Sequence, residues 1–180
     1  AWFKTSEAAY GVIFNKTSKS GGNDYVGWNL YISGDTGDSS EGKLKFWHRT
    51  GTGGVHIVTV TSANVLSDGS WHHVVIAADR SDEIKMYIDG DVGSPTTVDV
   101  SSRTQTINAN FDAGTGDAAL LIGMESADLS ASLASSIGDF NGSIDEVAIF
   151  QQRELGTADV TAFYNNGAPT DITAEDSLVG

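Results

Sequence analysis

The fold of this chain is decided by the stretch Asp68-Gly69-Ser70-Trp71-His72-His73-Val74, which leads through Val75-Ile76-Ala77 to Met86-Tyr87-Ile88-Asp89-Gly90. Val74, Ile76, Met86 and Ile88 alternate with more polar neighbours, which is the two-residue period of a β-strand. The Asp-Gly pairs at the two ends supply turn geometry. The stretch therefore predicts two strands, 71–78 and 83–89, joined as a hairpin by the polar residues 79–82.

A second decisive stretch lies nearer the end of the chain and reads Phe140-Asn141-Gly142-Ser143-Ile144-Asp145-Glu146-Val147-Ala148-Ile149-Phe150. Its apolar second half predicts a strand over 144–150. One short helix is predicted after it, with Thr157 as N-cap, two turns over 158–164, and Gly167 as the C′ residue. The helix has an apolar face that can dock on the edge of a sandwich, made of Val160, Phe163 and Tyr164.

Further short apolar runs, separated by turn residues, lie on both sides of these stretches. They are Ala1-Trp2-Phe3, Val12-Ile13-Phe14 and the segments 27–32, 44–48, 55–61, 98–100 and 120–123. With the strands above they make roughly nine to eleven short strands, the pattern of an all-β sandwich. The pattern predicts a single all-β domain.

The order and spacing of these motifs resemble the laminin-G-like branch of the concanavalin-A-like jelly rolls. In that branch a Trp-His-His-Val strand follows an Asp-Gly turn, and a Gly-Ser-Ile-Asp-Glu-Val strand and an Asn-Asn-Gly helix end follow later. The resemblance covers most of residues 1–168. It implies a two-sheet antiparallel β-sandwich with one short C-terminal helix, related in topology to the pentraxins. It also implies a module that binds rather than catalyses.

The expected domain comprises residues 1–168, followed by a polar tail or linker, 169–180, toward a further domain. Modules of this family usually begin with one or two strands before the Ala-Trp-Phe element, and these are missing here. We therefore expect a fragment of a longer multidomain protein. The segment Glu175–Gly180 then enters a further strand. Alternatively, Leu178-Val179 fills the empty edge of the same sandwich.

The composition excludes several partners. The formal net charge of −14 repels nucleic acid phosphates and anionic membranes, and no apolar run is long enough for a transmembrane helix. The chain contains no cysteine, so it has neither disulfides nor thiolate chemistry. We expect an extracellular, cell-surface or virion-surface protein that binds no nucleic acid and does not insert into a membrane.

Three oxygen-rich loops are candidates for a calcium site, because calcium takes six to eight hard oxygen ligands. Pentraxins place calcium ligands in loops at similar relative positions. Asn23 and Asp24 resemble their first pair in reversed order, and Glu125 and Asp128 resemble the second with one residue too many between them. Asp139 lies near a further ligand position. The same residues also serve as ordinary turn formers, which is the alternative interpretation.

Aromatic residues near the early strands are candidates for a sugar platform, made of Tyr25, Trp28 and Trp47. An exposed flat ring stacks on a pyranose, whereas a buried ring serves the core. We expect Trp2 and Trp71 in the core. The four histidines show no metal-binding spacing and are interpreted as structural.

No catalytic motif is present. Glycoside hydrolases of this superfamily carry Glu-x-Asp-x-Glu or Glu-x-Asp-x-x-Glu on one strand, because the retaining reaction needs two nearby carboxylates. The sequence contains neither run. The leading hypothesis is a non-catalytic module for calcium-assisted glycan binding or adhesion, which acts on glycan or glycoprotein surfaces from within a larger protein. The alternative is a spacer or virion-decoration domain without a small ligand.

Overall fold

The computed structural model describes residues 1–19, 25–37, 39–49, 57–79, 81–101, 120–126, 136–150 and 153–173. Its strands, numbered in chain order, form two five-stranded antiparallel sheets and a two-stranded ribbon. The first sheet has the spatial order β12 (Ser143–Asp145), β1 (Trp2–Lys4), β6 (Trp71–Ala78), β7 (Glu83–Ile88), β8 (Thr96–Asp99). The second has the order β5 (Ile57–Val65), β4 (Lys43–Arg49), β3 (Tyr25–Ile32), β2 (Gly11–Lys19), β9 (Leu121–Ile122). The ribbon pairs β10 (Glu125–Ser126) with β11 (Ser136–Ile137).

The two sheets pack face to face around one apolar core, which confirms the predicted sandwich. Alternate side chains of each strand point inward. The second sheet contributes Leu30 and Phe46 to this core, and the first contributes Phe3, Val74 and Met86. Full burial of such a side chain stabilises the folded state by about 1.5–3 kcal/mol. The core therefore holds the sheets in a fixed relative position and leaves their outer faces for other contacts.

The outer face of the first sheet is covered by helix α1 (Thr157–Tyr164), which a short 3₁₀ turn, Asn165–Gly167, follows. Val160 and Phe163 of the helix pack against Val75 of the sheet. At eight residues α1 is short, and no helix in the described parts of the chain is long and apolar enough to cross a membrane.

The ends of α1 differ slightly from the prediction. The N-cap is Gly156 rather than Thr157, and the Asp159 carboxylate accepts a hydrogen bond from the Gly156 amide at 2.8 Å. At the other end Asn165 takes the left-handed conformation expected of Gly167, with φ of 42°. Asparagine is the commonest substitute for glycine at this position.

Trp71 is exposed, although the sequence places it in the core. The ring of Phe3 lies 5.8 Å from that of His72, so His72 takes the core side at the start of β6. Because neighbouring strand residues face opposite ways, Trp71 points outward, and 44% of its surface is exposed. Trp2 is buried as expected, with 6% exposed.

The predicted closing strand is shorter than expected. β12 ends at Asp145, and the next residue, Glu146, has a φ of +50°. A positive φ lies outside the β region, so the chain leaves the sheet at that point.

Candidate functional site

The outer face of the second sheet is polar and carries the candidate site. Trp28 and Leu30 of β3 belong to the core, so the alternate residues Asn29 and Tyr31 point to the opposite face. Asn29 pairs with Trp47 of β4 across the sheet. Side chains of three strands thus converge on one surface, which we call the polar face: Asn15, Thr17, Asn29, Tyr31, Lys45 and Trp47.

A chain of hydrogen bonds links the polar face to the β10–β11 ribbon. The Tyr10 hydroxyl donates to Glu125 Oε2 at 2.5 Å, and Asn29 Nδ2 donates to the Tyr10 hydroxyl at 3.0 Å. Asn29 is fully buried and Glu125 is 9% exposed. Burying an ionisable carboxyl is costly unless it is hydrogen-bonded, so Tyr10, itself bonded by Asn29, holds Glu125 in a defined position.

The polar chain continues along β2. Asn15 lies opposite Asn29 in the sheet register, and the Thr17 hydroxyl donates to Asn15 Oδ1 at 3.0 Å. Asn15 Nδ2 and Asn29 Oδ1 are buried without a hydrogen-bond partner among the described residues. Buried amides of this kind are normally paired, so these two atoms are the unsatisfied members of the polar chain.

The pKa values of the two tyrosines in this region are raised well above the usual value for tyrosine. Burial raises the pKa of Tyr10, and its hydrogen bond to Glu125 adds to the effect. Burial also raises the pKa of Tyr31 to about 12, with the negative charge of Asp35 as the next cause. Both hydroxyls therefore stay protonated near neutral pH and act as hydrogen-bond donors.

The accessible part of the polar face is aromatic. The rings of Tyr10 and Tyr31 lie 5.1 Å apart at 59°. Trp47 is half-buried, and Lys45 beside it forms an ion pair with Asp35 at 2.9 Å. The surface combines ring faces with a cation and hydroxyl groups, which is a suitable lining for a sugar.

Of the three predicted platform residues, the structure places Trp47 on this face and Trp28 in the core. Trp28 is 7% exposed and packs edge-on against Phe14 at 5.1 Å. It presents no ring face to solvent, because inward-facing positions of β3 serve the core. The backbone of Tyr25 lies at the start of β3, and its side chain lies outside the described residues.

Two predicted metal ligands lie on neighbouring segments of the backbone. Glu125 of β10 pairs with Ile137 of β11, and Asp139 follows two residues later. The Phe140 amide donates to the Gly123 carbonyl at 2.8 Å, which holds the Asp139 segment beside the strand that leads to Glu125. Asn23, Asp24 and Asp128 lie outside the described residues.

The oxygen atoms available among the described residues are of the kind that a hard cation binds, but they supply only part of a coordination shell. It offers the Glu125 carboxyl and the Asn29 amide oxygen, both of which are oxygen ligands of the type that calcium takes. No group of three or more acidic, histidine or cysteine side chains able to hold a metal occurs within the described residues. Further oxygens have to come from neighbouring loops.

Tyr10 and the buried asparagines were not identified as site residues from the sequence. One signal was available for the asparagines, because Asn is depleted in strands and both Asn15 and Asn29 stand among strand formers. No comparable signal marks Tyr10, which reaches Glu125 from a position 115 residues earlier in the chain.

Comparison with protein families agrees with this architecture. A laminin-G-type family model, described as the concanavalin A-like lectin/glucanases superfamily, matches residues 1–161. Among solved structures, domains LG4-5 of the mouse laminin alpha1 chain match at 24% identity and a TM-score of 0.48. The match covers 79% of this chain and 31% of the laminin chain, so the chain spans about a third of that structure. No curated protein matches.

The family match covers nearly the whole sandwich, from β1 into helix α1. This fold supports carbohydrate-binding or adhesion-type modules. The chain belongs to the concanavalin A-like lectin/glucanase superfamily, through its laminin-G-type family.

Proposed function

We propose that this chain is a non-catalytic recognition module that binds carbohydrate on the polar face with the help of calcium near Glu125. The observation that supports this most is the hydrogen-bonded chain from Asn29 through Tyr10 to Glu125, which ends beside accessible aromatic rings. A buried carboxyl held by a tyrosine is a costly arrangement, and a bound cation offsets that cost.

The recognition step needs no covalent chemistry. Trp47 and Tyr31 stack on the apolar face of a pyranose, and Lys45 and the Tyr31 hydroxyl donate to its oxygens. Calcium, held by Glu125 and loop oxygens from Asn23, Asp24, Asp128 and Asp139, adds coordination to sugar hydroxyls or an acidic group. The superfamily name covers both lectins and glucanases, and we favour binding because the paired-carboxylate strand motif is missing from the sequence.

Such a module acts from the outside of a cell or particle, within a longer protein whose other domains place it. An acidic surface of net charge −14 keeps it away from anionic membranes and nucleic acids. Its partners are then glycans or glycoproteins.

Thermal unfolding in chelator, in millimolar calcium and in millimolar magnesium tests the calcium step. A ligand present at about 100 times its Kd stabilises the folded state by about 2.7 kcal/mol, so Tm rises by several degrees with calcium. Glu125→Gln is expected to abolish the rise. Glu7→Gln, the same change at an exposed position, is the control.

Binding to a glycan array, measured in chelator and in calcium, tests the sugar step. Trp47→Ala is expected to abolish binding and to leave the calcium-dependent Tm rise intact. No Tm rise with calcium removes the metal from the proposal, and an array without signal in either buffer favours the spacer domain.

A further inference from the structure

The hairpin loop between β3 and β4 carries a carboxylate that is fixed in place beside the polar face. The loop is closed by a hydrogen bond from the Ser33 amide to the Lys43 carbonyl at 2.8 Å. Asp35 follows Ser33 by two residues, and its side chain is 63% exposed. The hydroxyl of Ser33, a fully buried residue, donates to Asp35 Oδ2 at 3.0 Å. The carboxylate is therefore anchored to the buried base of the loop and remains accessible to solvent.

The two carboxylate oxygens of Asp35 differ in their contacts. Oδ2 accepts hydrogen bonds from the Ser33 hydroxyl and from the Lys45 ammonium group. No hydrogen bond to Oδ1 occurs within the part of the chain that the structure describes. The hydrogen bonds from Lys45 and Ser33 lower the pKa of Asp35, so this carboxyl is ionised at neutral pH. Because both oxygens of an ionised carboxyl are acceptors, Oδ1 is a charged acceptor that a ligand can reach.

Asp35 also compensates the cation of the polar face. Lys45 lies opposite Tyr31 in the register of β3 and β4, so the two side chains share this face. The Lys45 side chain is 14% exposed, far less than that of Asp35. A ligand that approaches this end of the polar face therefore meets the carboxylate before it meets the ammonium group. The more accessible charge of the pair is the negative one.

The carboxylate lies near the aromatic part of the polar face. After burial, the negative charge of Asp35 is the next cause of the raised pKa of Tyr31. Trp47 follows Lys45 by two residues on β4, so its ring lies on the same face. Rings, an ammonium donor, a phenolic donor and a carboxylate acceptor are thus neighbours. A sugar hydroxyl can both donate and accept, so it can donate to Asp35 while a neighbouring hydroxyl accepts from Lys45.

An acidic sugar is disfavoured by the same arrangement. The net charge of −14 repels an anion before it reaches the polar face. On the face, a uronic acid places its carboxylate beside that of Asp35, and like charges at an interface weaken the wrong complex. A neutral pyranose avoids this repulsion and supplies the donor that Oδ1 lacks. A site gains specificity by repelling the wrong ligand as well as by attracting the right one.

We propose that Asp35 is a specificity-determining residue that restricts the polar face to neutral sugars. Its Oδ1 accepts a hydrogen bond from a sugar hydroxyl, and its charge repels uronic acids. This role rests on the proposed sugar site, of which it names the ligand class. Calcium held near Glu125 then coordinates sugar hydroxyls rather than an acidic group.

The test is an array of matched oligosaccharides, in which each neutral tetramer is paired with the uronic acid tetramer of the same linkage. The pairs are mannose with mannuronic acid, galactose with galacturonic acid, and glucose with glucuronic acid. The full chain is applied at physiological salt, in calcium and in chelator. We expect binding to at least one neutral tetramer, with a signal on its acidic partner that is weaker by about tenfold or more.

Asp35→Asn separates the charge from the shape of this side chain. We expect it to weaken the neutral signal by about tenfold, because a hydrogen bond to a charged group is lost, and to bring the neutral and acidic signals within about threefold of each other. Asp82→Asn removes the same charge from the exposed turn between β6 and β7 and is expected to leave both signals unchanged. Thermal unfolding of both variants shows whether they are folded, and a small change in Tm is expected because exposed ion pairs stabilise little.

The outcomes separate the role of Asp35 from the sugar site itself. Acidic tetramers that bind the parent protein as well as the neutral ones overturn this role and leave the sugar site in place. An unchanged ratio of neutral to acidic signal in Asp35→Asn does the same. A preference of the parent protein that does not narrow in about 1 M salt also overturns the role, since salt screens exposed charges. An array without signal in either buffer overturns the sugar site, and this role with it.

Discussion

The imidazole of His72 is held by the carboxylate of Asp89, with Nδ1 2.8 Å from Oδ2. The other oxygen of Asp89 accepts the backbone N–H of His73 at 2.8 Å. On the far side of the ring, His72 Nε2 lies 3.2 Å from Asp68 Oδ1. One carboxylate therefore ties the turn after β7 to two residues of β6, and His72 joins it to the turn that precedes β6.

Asp89→Asn is expected to lower the free energy of unfolding by about 1 kcal/mol. Hydrogen bonds to charged groups contribute about 1.5–3 kcal/mol, and we take a smaller figure because the Asp89 side chain is 36% exposed. Asparagine tolerates the left-handed backbone of this position, where φ is +51°, so backbone strain does not add to the effect. Urea unfolding measures the loss in the free energy of unfolding, and Asp82→Asn in the exposed turn between β6 and β7 is the control. Equal effects of the two substitutions contradict a role for the Asp89–His72 contact.

The pKa values of the two adjacent histidines are shifted in opposite directions. Hydrogen bonding to Asp89 raises the pKa of His72, whereas burial lowers the pKa of His73 to about 4. The contribution of His72 to stability is complete below its unfolded pKa of about 6.5 and is lost as pH rises through the raised folded value. For His73 the unfolded chain binds a proton below about pH 6.5 and the folded chain only near pH 4. Its contribution is therefore lost as pH falls through that window.

His72→Asn is accordingly expected to destabilise most in mild acid. The loss in free energy of unfolding, measured by urea titration, should be largest near pH 5.5 and should shrink steadily at higher pH, at about 1.4 kcal/mol per unit of pKa shift. Below about pH 6.5 the contribution of His72 no longer changes with pH, so the variant and the parent protein lose stability equally through His73 as pH falls toward 4. A loss that is the same at every pH contradicts the ion pairs as its cause.

The two tryptophans of the first sheet should respond very differently to truncation. Trp2 is 6% exposed and stacks on Tyr164 of helix α1 at 5.7 Å, whereas Trp71 is 44% exposed. Trp2→Ala is expected to lower the free energy of unfolding by about 3–5 kcal/mol, as for other buried aromatic residues. Trp71→Ala is expected to lower it by less than about 1 kcal/mol. Differential scanning calorimetry of both variants measures this. A comparable loss in the two proteins places Trp71 in a packed interface.

Alternation along single strands made much of the fold predictable from the sequence. β6 begins and ends where the sequence predicts it, since its aromatic and β-branched residues stand between clear turns. The same pattern cannot say which of two faces is the core, and this is why Trp71 was placed wrongly. The predicted strand over 144–150 failed for a different reason, because the backbone turns at Glu146 and no local residue type marks that position.

The candidate site was less predictable because its contacts join distant parts of the chain. Glu125 was identified from its loop, but its partner Tyr10 lies 115 residues earlier and meets it only through the jelly-roll topology. Asn29 is linked to Glu125 only through Tyr10. Trp28 and Trp47 look equivalent in sequence. Their opposite orientations follow from the register of β3 against β4, in which Trp47 lies opposite Asn29.

Tyr10→Phe is the sharpest test of the polar chain, since it removes one oxygen and keeps the ring. Glu125 and Asn29 then lose their shared partner, and a buried polar group left unpaired costs about 1–3 kcal/mol. Tyr31→Phe is the matched control, because its ring packs on Tyr10 but no side-chain hydrogen bond of its hydroxyl occurs within the described residues. Tyr31→Phe is expected to change the free energy of unfolding by less than about 0.5 kcal/mol. Urea unfolding in chelator compares the two proteins without any effect of calcium. Should Tyr10→Phe prove as mild as its control, the hydroxyl does not hold Glu125, and the proposed calcium ligand loses its support.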